Sequence, residues 1–138
     1  MPILSRLRRC LLTATTSPTA MGRWRRLLSV LAITVSWLAL SPAPPDRLDT
    51  GWDKLNHAAA FAVLTVVSIF AFARTQRNLR RLLVVLLCYG AAIEVAQSFT
   101  PTRSAEWGDL LADLIGMAAG AMFAMLLDRV AGKGSPSA

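Results

Sequence analysis

Apolar residues gather into four long runs separated by short polar links. Leu27 to Ser41 is 15 residues without a charge, Leu55 to Ala73 is 19 with only His57 ionisable, Leu82 to Phe99 is 18 with only Glu94, and Leu110 to Leu127 is 18 with only Asp113. Leu, Ala and Val make up most of these runs, so each predicts a helix that is apolar around its whole circumference, with no strand alternation. At about 1.5 Å per residue the last three reach roughly 27 to 29 Å, close to the ~30 Å hydrocarbon core of a bilayer. The first reaches only about 22 Å, and Trp24 at the interface with snorkelling Arg25 and Arg26 extends it. The expected fold is an all-α membrane protein, a bundle of four transmembrane helices.

Basic residues between the runs set an orientation. Twelve of the fifteen Lys and Arg fall before the first run (Arg6, Arg8, Arg9, Arg23, Arg25, Arg26), between the second and third (Arg74, Arg77, Arg80, Arg81) and in the tail (Arg129, Lys133). The other two links hold only Arg47, Lys54 and Arg103. An excess of positive charge on the cytoplasmic side then places both termini inside, with links 42 to 54 and 100 to 109 facing outward. A basic stretch, an apolar run and Ser41-Pro42-Ala43 also have the outline of a secretory signal peptide, but Pro44 and Pro45 just past the would-be cleavage site argue for an uncleaved anchor. Residues 1 to 20, rich in Ser, Thr, Pro and Arg, have no sustained period and are expected to be disordered or foreign to the natural protein, since Met21 opens a compact second start. The membrane domain is expected over 21 to 131, with a flexible tail over 132 to 138.

Composition supports a membrane reading: 54% hydrophobic residues and a mean hydropathy of +0.48 exceed what one soluble core of 138 residues requires. A net charge of +7 and a pI near 11.0 raise nucleic acid as a partner. The basic residues, however, edge the apolar runs and form no patch of their own, which excludes it. Cys10 and Cys88 lie in different settings and predict no disulfide; Cys88 reads as a small apolar packing residue.

The ionisable residues inside the runs carry the chemistry. With the topology above, Asp53, Lys54 and His57 open the second helix, Glu94 and Gln97 close the third, and Asp109 and Asp113 open the fourth, all toward the outer leaflet. Residues three or four apart share a helix face, which groups Asp53 with His57, Glu94 with Gln97 and Ser98, and Asp109 with Asp113. Buried charge needs partners, so these faces are expected to meet, with Arg103 as a counter-charge for Glu94 or Asp113. Two roles are open for the cluster: interhelical hydrogen bonds worth about 1 kcal/mol or less each, or a ligand site. No cofactor is implied, and one His among carboxylates falls short of the usual zinc set while leaving a hard cation open. In the fourth helix Ala112, Gly116, Gly120 and Ala124 form a stripe of small residues for close helix packing, either within the chain or across a homodimer seam.

Three segments resemble VanZ-like membrane proteins. Asp53-Lys54-Leu55-Asn56-His57 is similar to a D-K-x-x-H motif at the start of their second helix. Tyr89-Gly90 through Glu94 to Gln97 is similar to Y-G-x-x-x-E-x-x-Q, and Arg103 through Asp109, Asp113 and Gly116 to Gly120 to a third segment in which Asn commonly stands at the position of Asp113. The resemblance spans about 24 to 128 and implies a small multi-pass protein of the bacterial cytoplasmic membrane. Founding members of the family are associated with resistance to the glycopeptide teicoplanin, which implies a role in the cell envelope or in antibiotic resistance. A non-enzymatic protein whose outer site takes an envelope lipid, a glycolipid or a lipophilic glycopeptide-type compound is the expected function. The alternatives are a small intramembrane enzyme acting on a lipid headgroup, with His57 as base, Glu94 or Asp113 orienting it and Lys54 or Arg103 holding a phosphate, and a proton-coupled transporter.

Overall fold

The computed structural model describes residues 17 to 41, 53 to 72, 75 to 100 and 106 to 130. They form four helices: α1 (Pro18–Leu40), α2 (Asp53–Phe72), α3 (Gln76–Gln97) and α4 (Trp107–Val130). The described part of each apolar run thus maps onto one helix, with Ser41 past the end of α1 and Ser98 and Phe99 past the end of α3. α1 begins three residues ahead of Met21, because Pro18 suits a first helical position and Ser17 Oγ accepts the Ala20 N–H at 3.1 Å. Pro18 to Ala20 therefore belong to the helix and not to the expected extension; residues 1 to 16 lie outside the described residues, as does the expected tail. Thr75 caps α3 in the same way, accepting the Asn78 N–H at 3.2 Å.

α2 and α4 are long and apolar enough to cross a membrane, Asp53–Phe72 with a mean hydropathy of 1.9 and Trp107–Arg129 with 2.0. α1 and α3 carry arginines near their N-terminal ends, Arg23, Arg25 and Arg26 in one and Arg77, Arg80 and Arg81 in the other. Large apolar side chains cover the outside of the bundle: Val30, Ile33 and Trp37 on α1, Val84 and Val85 on α3, and Ile115, Met122 and Phe123 on α4 are all exposed. Exposed apolar surface of that extent needs an apolar surrounding. Cys88 is exposed on the same surface and does not pack inside the chain as expected.

α2 is the central element and touches the other three helices, most extensively α4. The α2–α4 pair runs parallel, which the glycine stripe makes possible. A side chain at Gly116 would meet the backbone carbonyl of Ala58, and one at Gly120 the carbonyl of Ala62, so both helices advance four residues per contact at near backbone-to-backbone distance. Ala112 and Ala124 are buried in line with the two glycines. Toward α1 and α3 the core is built from Phe61, Leu64, Leu86 and Met117, ringed by Leu28, Leu31, Leu82 and Tyr89.

Three hydrogen bonds among the described residues tie α1 to α3. The Tyr89 hydroxyl donates to the Ala32 carbonyl at 2.8 Å, which uses its one proton, so the Ser36 hydroxyl donates to Tyr89 at 2.8 Å. Near the other end Gln97 Nε2 donates to the Ala39 carbonyl at 3.0 Å. Tyr89→Phe removes the first link without changing shape. It is expected to lower stability by about 1 kcal/mol, read as a modest drop in melting temperature in detergent.

Candidate functional site

Parallel packing of α2 on α4 sets the N-termini of both helices side by side, and the C-terminal end of α3 lies beside them. Carboxylates suit that place, because the first turn of a helix presents unpaired N–H groups and the positive end of its dipole. Asp53 stands in the first turn of α2 and Asp109 in that of α4.

One turn deeper His57 meets Asp113. Nδ1 lies 2.9 Å from Asp113 Oδ1, and both side chains are buried, that of Asp113 completely. A carboxylate only accepts, so Nδ1 carries the proton and donates it. That fixes the ring and turns Nε2 toward α3, where Glu94 Oε1 stands 3.9 Å away, beyond hydrogen-bond reach. The other Glu94 oxygen, Oε2, accepts the backbone N–H of Glu106 at 3.1 Å, which ties the end of α3 to the start of α4. Gly90, one turn below Glu94, leaves the room that Asp113 Oδ2 occupies; any side chain there would collide with it.

At the rim Lys54 Nζ donates to Glu106 Oε2 at 2.7 Å and stands 3.7 Å from Asp109 Oδ1. Lys54 and Glu106 are half exposed, whereas Asp109 is 2% exposed. The structure therefore brings His57, Glu94, Asp109 and Asp113 together behind a Lys54–Glu106 gate, with Asp53 exposed at the edge. Gln97 does not join them, since its amide turns to α1. Arg103 lies outside the described residues. Glu106 is missing from the sequence reading because it falls in a polar link, where no helical spacing ties it to a partner. The Lys54 motif position was the available signal, as a lysine at a helix entrance needs an anion.

Several acceptors in this end of the bundle have no donor. Glu94 Oε1, Asp109 Oδ1 and Asp113 Oδ2 are enclosed without a hydrogen-bond partner. Among the described residues the cluster holds five carboxylates, Asp53, Glu94, Glu106, Asp109 and Asp113, against Lys54 and His57. The arrangement is therefore a receptor for hydrogen-bond donors or positive charge. It is poorly suited to a bare anion.

A helical bundle with this polar end, an apolar exterior and two spanning-length apolar helices defines a helical membrane protein. The VanZ/LLP1 family model matches residues 11 to 128, and the chain belongs to that family. No curated protein and no solved structure matches it.

Proposed function

We propose that the chain crosses the bacterial cytoplasmic membrane four times with both termini inside, and that its polar end is an outer-leaflet site for the headgroup of an envelope lipid. A glycolipid precursor or a lipophilic glycopeptide-type compound offers the same chemistry, hydroxyl and amine donors on an apolar anchor. The observation that carries this reading is the set of enclosed acceptors, Glu94 Oε1, Asp109 Oδ1 and Asp113 Oδ2, which a donor-rich headgroup would satisfy. Trp107 at the start of α4 and Trp37 near the end of α1 are exposed at the same end, as interfacial aromatics are, and the arginines of α1 and α3 start those helices at the opposite one. A role in the cell envelope or in resistance to such compounds follows from this ligand class.

Glu94→Gln tests it, because the amide keeps shape and hydrogen bonding but deletes the charge. The variant is expected to reach the membrane in normal amount with an unchanged melting temperature, yet to lose complementation of a deletion phenotype; His57→Gln, which alters the donor to the buried Asp113, is expected to lose complementation as well. Full complementation by both would leave interhelical bonding as the role of the cluster. Retained lipids identified by native mass spectrometry from mild detergent would name the headgroup.

The 2.9 Å His57–Asp113 pair favours one second reading, an intramembrane enzyme with His57 Nε2 as general base. Turnover of a retained lipid by the purified protein, lost in His57→Gln, separates it from binding alone. The membrane topology is checked by single-cysteine labelling in a background with Cys10 and Cys88 changed to serine. Sites in 42 to 50 and 100 to 106 are expected to react from outside and sites in 75 to 80 are not. Labelling at Gln76 from outside would overturn the orientation.

A further inference from the structure

Asp53, His57 and Asp109 each place a ligand-type atom within 4.8 Å of those of the other two. Ligands around one divalent ion at about 2.0 to 2.2 Å lie roughly 3 to 4.4 Å apart. A spread of that size closes with small side-chain rotations.

Two further features point to an ion. The first is Asp109 Oδ1, on a side chain 98% buried: no hydrogen bond reaches it, and its one ion pair among the described residues is a long one, 3.7 Å from a Lys54 Nζ that donates to Glu106 instead. Glu94 Oε1 is enclosed in the same way, 3.9 Å from His57 Nε2, a spacing that two ligands of a shared ion adopt. The second is the arrangement of His57, whose Nδ1–H is given to a fully buried carboxylate, leaving the Nε2 lone pair directed away from it. Metal-binding imidazoles are oriented in this manner by an outer carboxylate.

We propose that Asp53, His57 and Asp109 bind one divalent cation, with Glu94 beside it as a further oxygen donor and Asp113 as the carboxylate that positions His57. One imidazole nitrogen among carboxylate oxygens suits Mn2+ first, since all-oxygen sites favour Ca2+ and thiolate sites favour softer ions, with Zn2+ second because a single His is short of its usual set. The ion would offset the excess of carboxylates at this end of the bundle, and it would take Asp109 Oδ1 and Glu94 Oε1 in place of the headgroup donors proposed above. Lys54, half exposed and on a flexible stem, gives way to it without disturbing the helices.

The test uses the full chain purified in detergent and stripped with a chelator. Mn2+ titrated into it and followed by electron paramagnetic resonance is expected to bind at one ion per chain, as is Zn2+ by elemental analysis. Asp109→Asn and His57→Gln are expected to weaken binding at least ~10-fold, and Asp113→Asn, acting through His57, by about 10- to 100-fold. Asp53→Asn alters an exposed side chain, so it folds whatever happens to the buried variants, and it too is expected to weaken binding. Absence of saturable Mn2+ and Zn2+ binding by the wild-type chain, or undiminished binding by both Asp53→Asn and Asp109→Asn, overturns the proposal. Lipid retention measured with and without the chelator keeps the two readings apart. Retention without any bound ion sinks only the cation site, and a bound ion without specific lipid retention sinks only the headgroup site.

Discussion

Gly116→Leu is expected to destabilise the protein by about 3 kcal/mol or more, at or beyond the upper end of what overpacking a closed core costs. The reason is geometric: even a Cβ at Gly116 would collide with the carbonyl oxygen of Ala58, and the obstacle is backbone that cannot rotate aside. A leucine must separate α2 from α4 along their whole contact, which also pulls apart His57, the neighbour of Ala58, and Asp113, less than one turn from Gly116. Ala118→Leu, on the exposed face of the same helix, is expected to stay within about 0.5 kcal/mol of the wild type. The readouts are melting temperature in detergent and abundance in the membrane fraction. Equal melting temperatures for the two variants would mean that the small-residue stripe does not hold the helices together.

Asp113→Ala is expected to be nearly as damaging, at about 3 kcal/mol, because it strands a buried imidazole N–H with no acceptor. Asp113→Asn keeps an acceptor oxygen for Nδ1–H and relieves the carboxylate crowding. Its expected cost is about 1 kcal/mol or less, the range of a neutral interhelical hydrogen bond. The double variant His57→Leu with Asp113→Leu removes both partners and is expected to cost less than Asp113→Ala alone. A double-mutant cycle in detergent gives the coupling between the two side chains. A coupling below about 1 kcal/mol would show an ordinary polar contact and not a buried pair.

The helices were legible because each of the four apolar runs is long, nearly free of charge and bounded by polar links, and such a run has few ways to fold. The grouping of Asp53 with His57 and of Asp109 with Asp113 followed from helical spacing, and the structure places His57 against Asp113 and near Asp53 and Asp109. What spacing does not determine is how far each helix rotates about its axis. That rotation decides that His57 meets Asp113 across the α2–α4 contact, and that Gln97, one turn from Glu94, serves α1 instead. The glycine stripe announced a close contact but not its partner, since any helix with small residues could have answered it; Ala58 and Ala62 supply the match. Cys88 was misread for a related reason. Apolar surroundings in sequence do not tell the inside of a bundle from its outside when both are apolar. Glu106 went unseen because links have no period from which a facing direction can be read.

The parallel pairing of α2 and α4 has a consequence for how the chain is made. Two parallel neighbours cannot be a simple hairpin, so α2 leaves the ribosome with its closest partner still unsynthesised, and α3 runs back in the opposite sense before that partner arrives. Until α4 arrives, the Ala58 and Ala62 face has nothing to lie against and His57 has no carboxylate to hold it. The last helix to be translated therefore delivers the locking surface and three of the five carboxylates within the span of Glu106 to Gly120. A chain cut short before that point carries His57, Lys54 and Glu94 without the partners that Asp113 and Glu106 bring. Completion of the polar end is thus a single late event that joins α2, α3 and α4.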